Sequence, residues 1–154
     1  MKESMVSLLS NFTFISVAIT GALSQIIKIL IHRFKEKRWN FWYFFVAGGM
    51  PSTHSATVTA LTLGVGLEVG LRTALFTACL AFAYIVIYDA AVIRRAAGKH
   101  AELINRIAEE VYSKHQVRVE KLKEILGHNL LEVFSGMLFG IATTLVVYYV
   151  YFIR

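Results

Sequence analysis

Four long apolar runs divide this chain, and the charged residues fall almost entirely between them. The runs extend from about Met5 to Ile31, Ser55 to Val69, Leu71 to Ile93 and Leu130 to Ile153. A helix rising about 1.5 Å per residue needs about 20 residues to cross a hydrocarbon core. The first, third and fourth runs meet that length. The second approaches it only if its helix begins at Pro51, so the expected spans are about 5–31, 51–69, 71–93 and 130–153. Only 17% of residues are charged, against roughly 25% in an average soluble domain. These features argue against a soluble bundle. They predict an all-α fold: a polytopic membrane helical bundle of about four transmembrane helices with short interfacial and cytoplasmic helices. At 154 residues, 1–154 reads as a single integral membrane domain.

The first run is longer than the apolar core of a signal peptide, and no A-x-A-like site follows it, so it reads as a retained span. The stretch "HRFKEKRWNFWYFFVAGG" has a basic start and carries Trp39, Trp42 and Tyr43, which suit a membrane interface. Residues 94–127 read as a polar loop, within which "AELINRIAEEVY" has helical periodicity and Glu120 to Leu126 forms a second short helix. The single cysteine, Cys79, has no partner for an internal disulfide. Gly136 and Gly140 form a GxxxG on the last run, which serves either a homodimer or close packing within the chain.

With four spans, the loops 31–50 and 94–127 share one side. They hold 12 of the Lys and Arg residues, and the other side holds three: Lys2, Arg72 and Arg154. The positive-inside rule then puts the basic loops in the cytoplasm and both termini outside, in what reads as a bacterial plasma membrane. The net charge of +6 is thereby assigned to the bilayer, and no nucleic-acid partner is expected.

This topology gathers unusual polar residues at one face. Lys28 ends the first span, "MPSTHS" opens the second, Asp89, Arg94 and Arg95 close the third, and His128 and Glu132 open the fourth. Ionisable groups within a membrane are costly and mark functional sites by default. Each has a plainer reading. Lys28 can snorkel to the interface, Asp89 can pair with Arg94 or Arg95, and Glu132 can complete a capping box with Asn129. His54 can be an ordinary interfacial histidine. Delivery by four separate segments favours a site.

Proline is favoured at the first helical position, so Pro51 is expected to start the second helix. The amides of Ser52, Thr53 and His54 would then point at one spot and bind an anion, phosphate in particular. Hydroxyls of Ser52, Thr53 and Ser55 add donors, while Lys28, Arg94 and Arg95 add positive charge. A histidine beside such a site can protonate a leaving oxygen. A metal site built from His54, His128, Asp89 and Glu132 is disfavoured, because the lysine and arginines at the same face would repel a cation.

The blocks "GGMPSTHSA", "YDAAVIRRAAGKHA" and "LGHNLLEVFSGMLFGI" resemble the divergent, small membrane branch related to type 2 phosphatidic acid phosphatases and vanadium-dependent haloperoxidases. The resemblance covers roughly residues 21 to 143. It implies a metal-independent and cofactor-free mechanism in which His128 attacks phosphorus, Glu132 orients it, and His54 protonates the leaving group. Ser52, the Thr53 amide and Lys28 would hold phosphate. The chain departs from the broader superfamily pattern in four places. Lys35-Glu36 stands after Lys28 where an Arg-Pro is expected, Thr53 stands for a glycine, Glu132 for an aspartate, and Lys121-Leu122 where a Ser-Arg is expected. Arg94 or Arg95, beside Asp89, is expected to supply the missing guanidinium. The implied function is a lipid phosphate phosphohydrolase using a phosphohistidine intermediate at the cytoplasmic face, on phosphatidate, phosphatidylglycerol phosphate or polyprenyl diphosphate. The alternative is a non-catalytic lipid-phosphate binder or transporter that keeps the anion site.

Overall fold

The computed structural model describes residues 7, 9–37, 39, 49–112 and 129–154, and within these not the side chains of 35, 94, 95, 97 and 109–112. The described residues form five helices and no strand: α1 (Phe12–Glu36), α2 (Thr53–Val69), α3 (Ala74–Tyr88), α4 (Arg94–Tyr112) and α5 (Leu130–Phe152). A π-helical turn, Asp89–Ile93, joins α3 directly to α4. Short polar residues ahead of the apolar runs start the helices. The Asn11 side chain accepts from the Phe14 N–H at 2.7 Å, and the Thr73 hydroxyl from the Phe76 N–H at 3.2 Å.

Among the described residues, three stretches are long and apolar enough to cross a membrane: Phe12–Phe34, Ala74–Ala108 and Leu130–Phe152. The expected all-α membrane bundle therefore stands. Helix α2 has 17 residues, or about 25 Å of length, and is short for a lipid-exposed span. It lies instead in the middle, touching α1, α3 and α5. Its buried residues are mostly small, among them Ser55, Ala56, Ala60, Gly64 and Gly66, which lets the neighbouring backbones approach closely. Gly136 and Gly140 of α5 supply the other half of this contact. A Cβ on Gly136 would lie 2.5 Å from the Ser52 carbonyl oxygen, and one on Gly140 would strike the Ala56 carbonyl. The GxxxG face is thus occupied within the chain.

Helices α1 and α2 are antiparallel. Ser24 meets Thr53 at one end, and Thr13 meets Glu68 at the other. Helix α5 runs alongside α2, with the Ser52 N–H donating to the Glu132 carbonyl at 3.0 Å. Its far end packs Tyr148 and Phe152 around Phe12, with ring centroids 5.7 and 5.3 Å away.

Two expectations need correcting. The third apolar run does not give way to a loop at Arg94, because the helix continues through the π turn to Tyr112. The charges of "RRAAGKH" do not end the helix. Pro51 is not the first helical residue either. Ser52 is the N-cap, in extended conformation (φ −65°, ψ 114°), and its side chain accepts from the Ser55 N–H, which places the start at Thr53.

Candidate functional site

The site is built at the end of the bundle where α1 finishes and α2 and α5 begin. Lys28 lies on α1, inside the membrane-spanning stretch, and is only 8% exposed. It therefore does not snorkel to open water. An isolated charge at the centre of a spanning helix costs about 2.5–3.5 kcal/mol on insertion scales, so such groups take partners. Glu132, in the first turn of α5, acts coulombically on the Lys28 ammonium. Its carboxylate also accepts from the Asn129 N–H at 3.4 Å, the acidic half of a capping box. One carboxylate thus serves both the start of α5 and the buried lysine.

Ser52 is fully buried. Its N–H is used by the Glu132 carbonyl, and its hydroxyl oxygen accepts from both the Ser55 N–H (3.4 Å) and the Ser55 hydroxyl (3.1 Å). It ties α2 to α5 and sets where α2 begins. Thr53 follows at the first helical position, half-buried, where helix geometry gives its N–H no intrahelical acceptor. The hydroxyl of Ser24 of α1, one turn before Lys28, pairs with the Thr53 hydroxyl at 3.1 Å. His54 comes next and is exposed.

Asp89 is half-buried and opens the π turn, which touches α5. π-Helical turns re-aim side chains and recur at functional sites. The backbones of Arg94 and Arg95 follow at the start of α4, and their side chains lie outside the described residues. His128 also lies outside them, as does Lys121-Leu122. The structure therefore brings Lys28, Ser52, Thr53, His54, Glu132 and the Asp89 turn to one end of the bundle. Pro51 is buried just ahead of the Ser52 cap.

Two further residues belong to this end. Ser24 was legible from its position four before Lys28, on the same helical face. Gln25 keeps a buried side-chain oxygen without a hydrogen-bond partner, and its sequence signal is an amide three residues before Lys28 in an otherwise apolar run. A buried lysine, a carboxylate beside it and a helix N-terminus together form a polar end suited to an anionic head group on an apolar molecule.

No solved structure matches the chain. It is 39% identical to the "Uncharacterized membrane protein YuiD" of Bacillus subtilis (strain 168), over 92% of this chain and 97% of that protein. Residues 9–143 match the model of the divergent PAP2 family. That match spans all three blocks and every helix from α1 into α5, so the chain belongs to the divergent PAP2 family.

Proposed function

We propose that this membrane protein is a lipid phosphate phosphohydrolase that works through a phosphohistidine on His128. The supporting observation is the convergence of buried Lys28, the N-terminus of α2 and Glu132 at one end of the bundle. A ring nitrogen of His128 attacks phosphorus as the bond to the lipid oxygen breaks, and that oxygen takes a proton from His54. Water then attacks the phosphohistidine, releasing orthophosphate and restoring His128. Lys28, the Thr53 amide and Arg94 or Arg95 neutralise the phosphoryl oxygens. Glu132 holds His128 in the reactive tautomer. Ser52 acts one step back, by setting the position of Thr53. The apolar walls suit a lipid tail, and the test is orthophosphate release from a panel of lipid phosphates by metal-free protein in nanodiscs.

The arginines carry a separate expectation. Arg94→Ala or Arg95→Ala should weaken vanadate binding by about 1.5–3 kcal/mol, the value of a charged hydrogen bond. Normal affinity in both folded variants would remove them from the site. The site faces the cytoplasm by the charge asymmetry of the loops. In a Cys79→Ala background, a cysteine at position 114 should resist an impermeant reagent in intact cells, and one at position 71 should react. The opposite pattern would move the site to the other leaflet.

A second reading is a non-catalytic lipid-phosphate binder. The observation favouring it is that the Ser52 hydroxyl is enclosed in the α2 cap, away from any ligand. Binding without phosphate release across the panel would establish it.

A further inference from the structure

Helix α1 carries a polar line that extends well beyond the candidate site. Thr13, Ser16, Thr20 and Ser24 recur at three- and four-residue intervals, so they share one helical face. All are buried against α2 and α5: Thr13 is 7% exposed and the other three 0%. Most of these hydroxyls are bonded across the helix interfaces. Thr13 donates to the Glu68 carboxylate at 2.6 Å, Thr20 pairs with Thr143 at 2.7 Å, and the Ser24 and Thr53 hydroxyls pair at 3.1 Å. One turn beyond Ser24 the line reaches Lys28.

Ser16 interrupts it. Its hydroxyl oxygen is buried and has no hydrogen-bond partner. A serine inside a helix commonly satisfies itself on a carbonyl one turn back, as Ser24 does on Gly21 at 2.8 Å. A buried hydroxyl left unpaired keeps its desolvation penalty in full.

The neighbouring hydroxyls have the right complementarity for a bridge. The Thr143 proton is directed to the Phe139 carbonyl at 2.8 Å, which makes Thr20 the donor in its pair and leaves Thr20 with lone pairs to offer. Ser16 has a proton to give. Residues four apart on a helix have Cβ atoms about 5–6 Å apart, a spacing at which one water can reach both hydroxyls. Buried waters take sites of this kind, where two or more polar groups lack direct partners.

We propose that the bundle interior binds water at Ser16, accepting from the Ser16 hydroxyl and donating to Thr20. No phosphate chemistry is involved, so the water site and the phosphatase reading stand or fall separately.

Solid-state NMR of the full chain in bilayers, with magnetisation transferred from water to protein carbons, tests it. Transfer is expected at Ser16 and Thr20 in the wild type, in contrast to the apolar residues around them. In Ser16→Ala the transfer to Thr20 should fall to background. Absence of transfer to Ser16 in the wild type would overturn the proposal, whether or not the variant folds. Undiminished transfer to Thr20 in a folded Ser16→Ala protein would overturn it as well, since the water would then be held by something else.

Discussion

Glu132→Gln is expected to destabilise the folded protein by about 1 kcal/mol, since solvent screens a carboxylate that is itself half-exposed. For a chain of this size that is roughly 2–4 °C in the unfolding midpoint. The reason is Lys28. It sits inside a spanning helix at 8% exposure, with Glu132 acting on it from α5. Glutamine can still accept from the Asn129 N–H, so a residue that only capped α5 would tolerate the change. Adding Lys28→Met removes the stranded charge and should recover most of the loss, a coupling that a double-mutant cycle in detergent measures directly. Equal melting of wild type and Glu132→Gln would show that Glu132 does not stabilise the buried Lys28. Full additivity of the two changes would show that the residues do not sense each other.

The bundle was readable because a membrane leaves few choices: apolar runs of sufficient length become helices, and polar exceptions within them stand out. Lys28, Asp89 and Glu132 were visible for that reason. The start of α2 was less so. Proline at the first position and serine at the cap are both good helix-start signals, and the contact of Ser52 with the Glu132 carbonyl favours the second. The π turn at Asp89 had no sequence signature. The continuation of α3 into α4 was missed because a rise in charge was taken for the end of a helix, when the helix runs on through it. The hydroxyl line on α1 was present as spacing, but its bonds to Glu68, Thr143 and Thr53 depend on contacts between distant segments. The short α2 likewise acquires its meaning only when three helices are seen around it.

The second large effect concerns His128. It immediately precedes Asn129, the N-cap of α5, in the sequence. Asparagine fills similar space and can hydrogen-bond, but it cannot form the nitrogen–phosphorus bond of a phosphohistidine. His128→Asn should therefore lower turnover by at least roughly 10³-fold, about 4 kcal/mol in the barrier. Orthophosphate should still bind, because Lys28, Thr53 and the arginines remain. A non-catalytic binder would show no such separation of turnover from binding. The most direct measurement is rapid acid- and base-quench of purified protein with radiolabelled lipid phosphate, comparing wild type with His128→Asn. The wild type should release orthophosphate and accumulate a phosphoprotein that is labile to acid and stable to base, and the variant should do neither. Undiminished phosphate release by folded His128→Asn protein would contradict the mechanism.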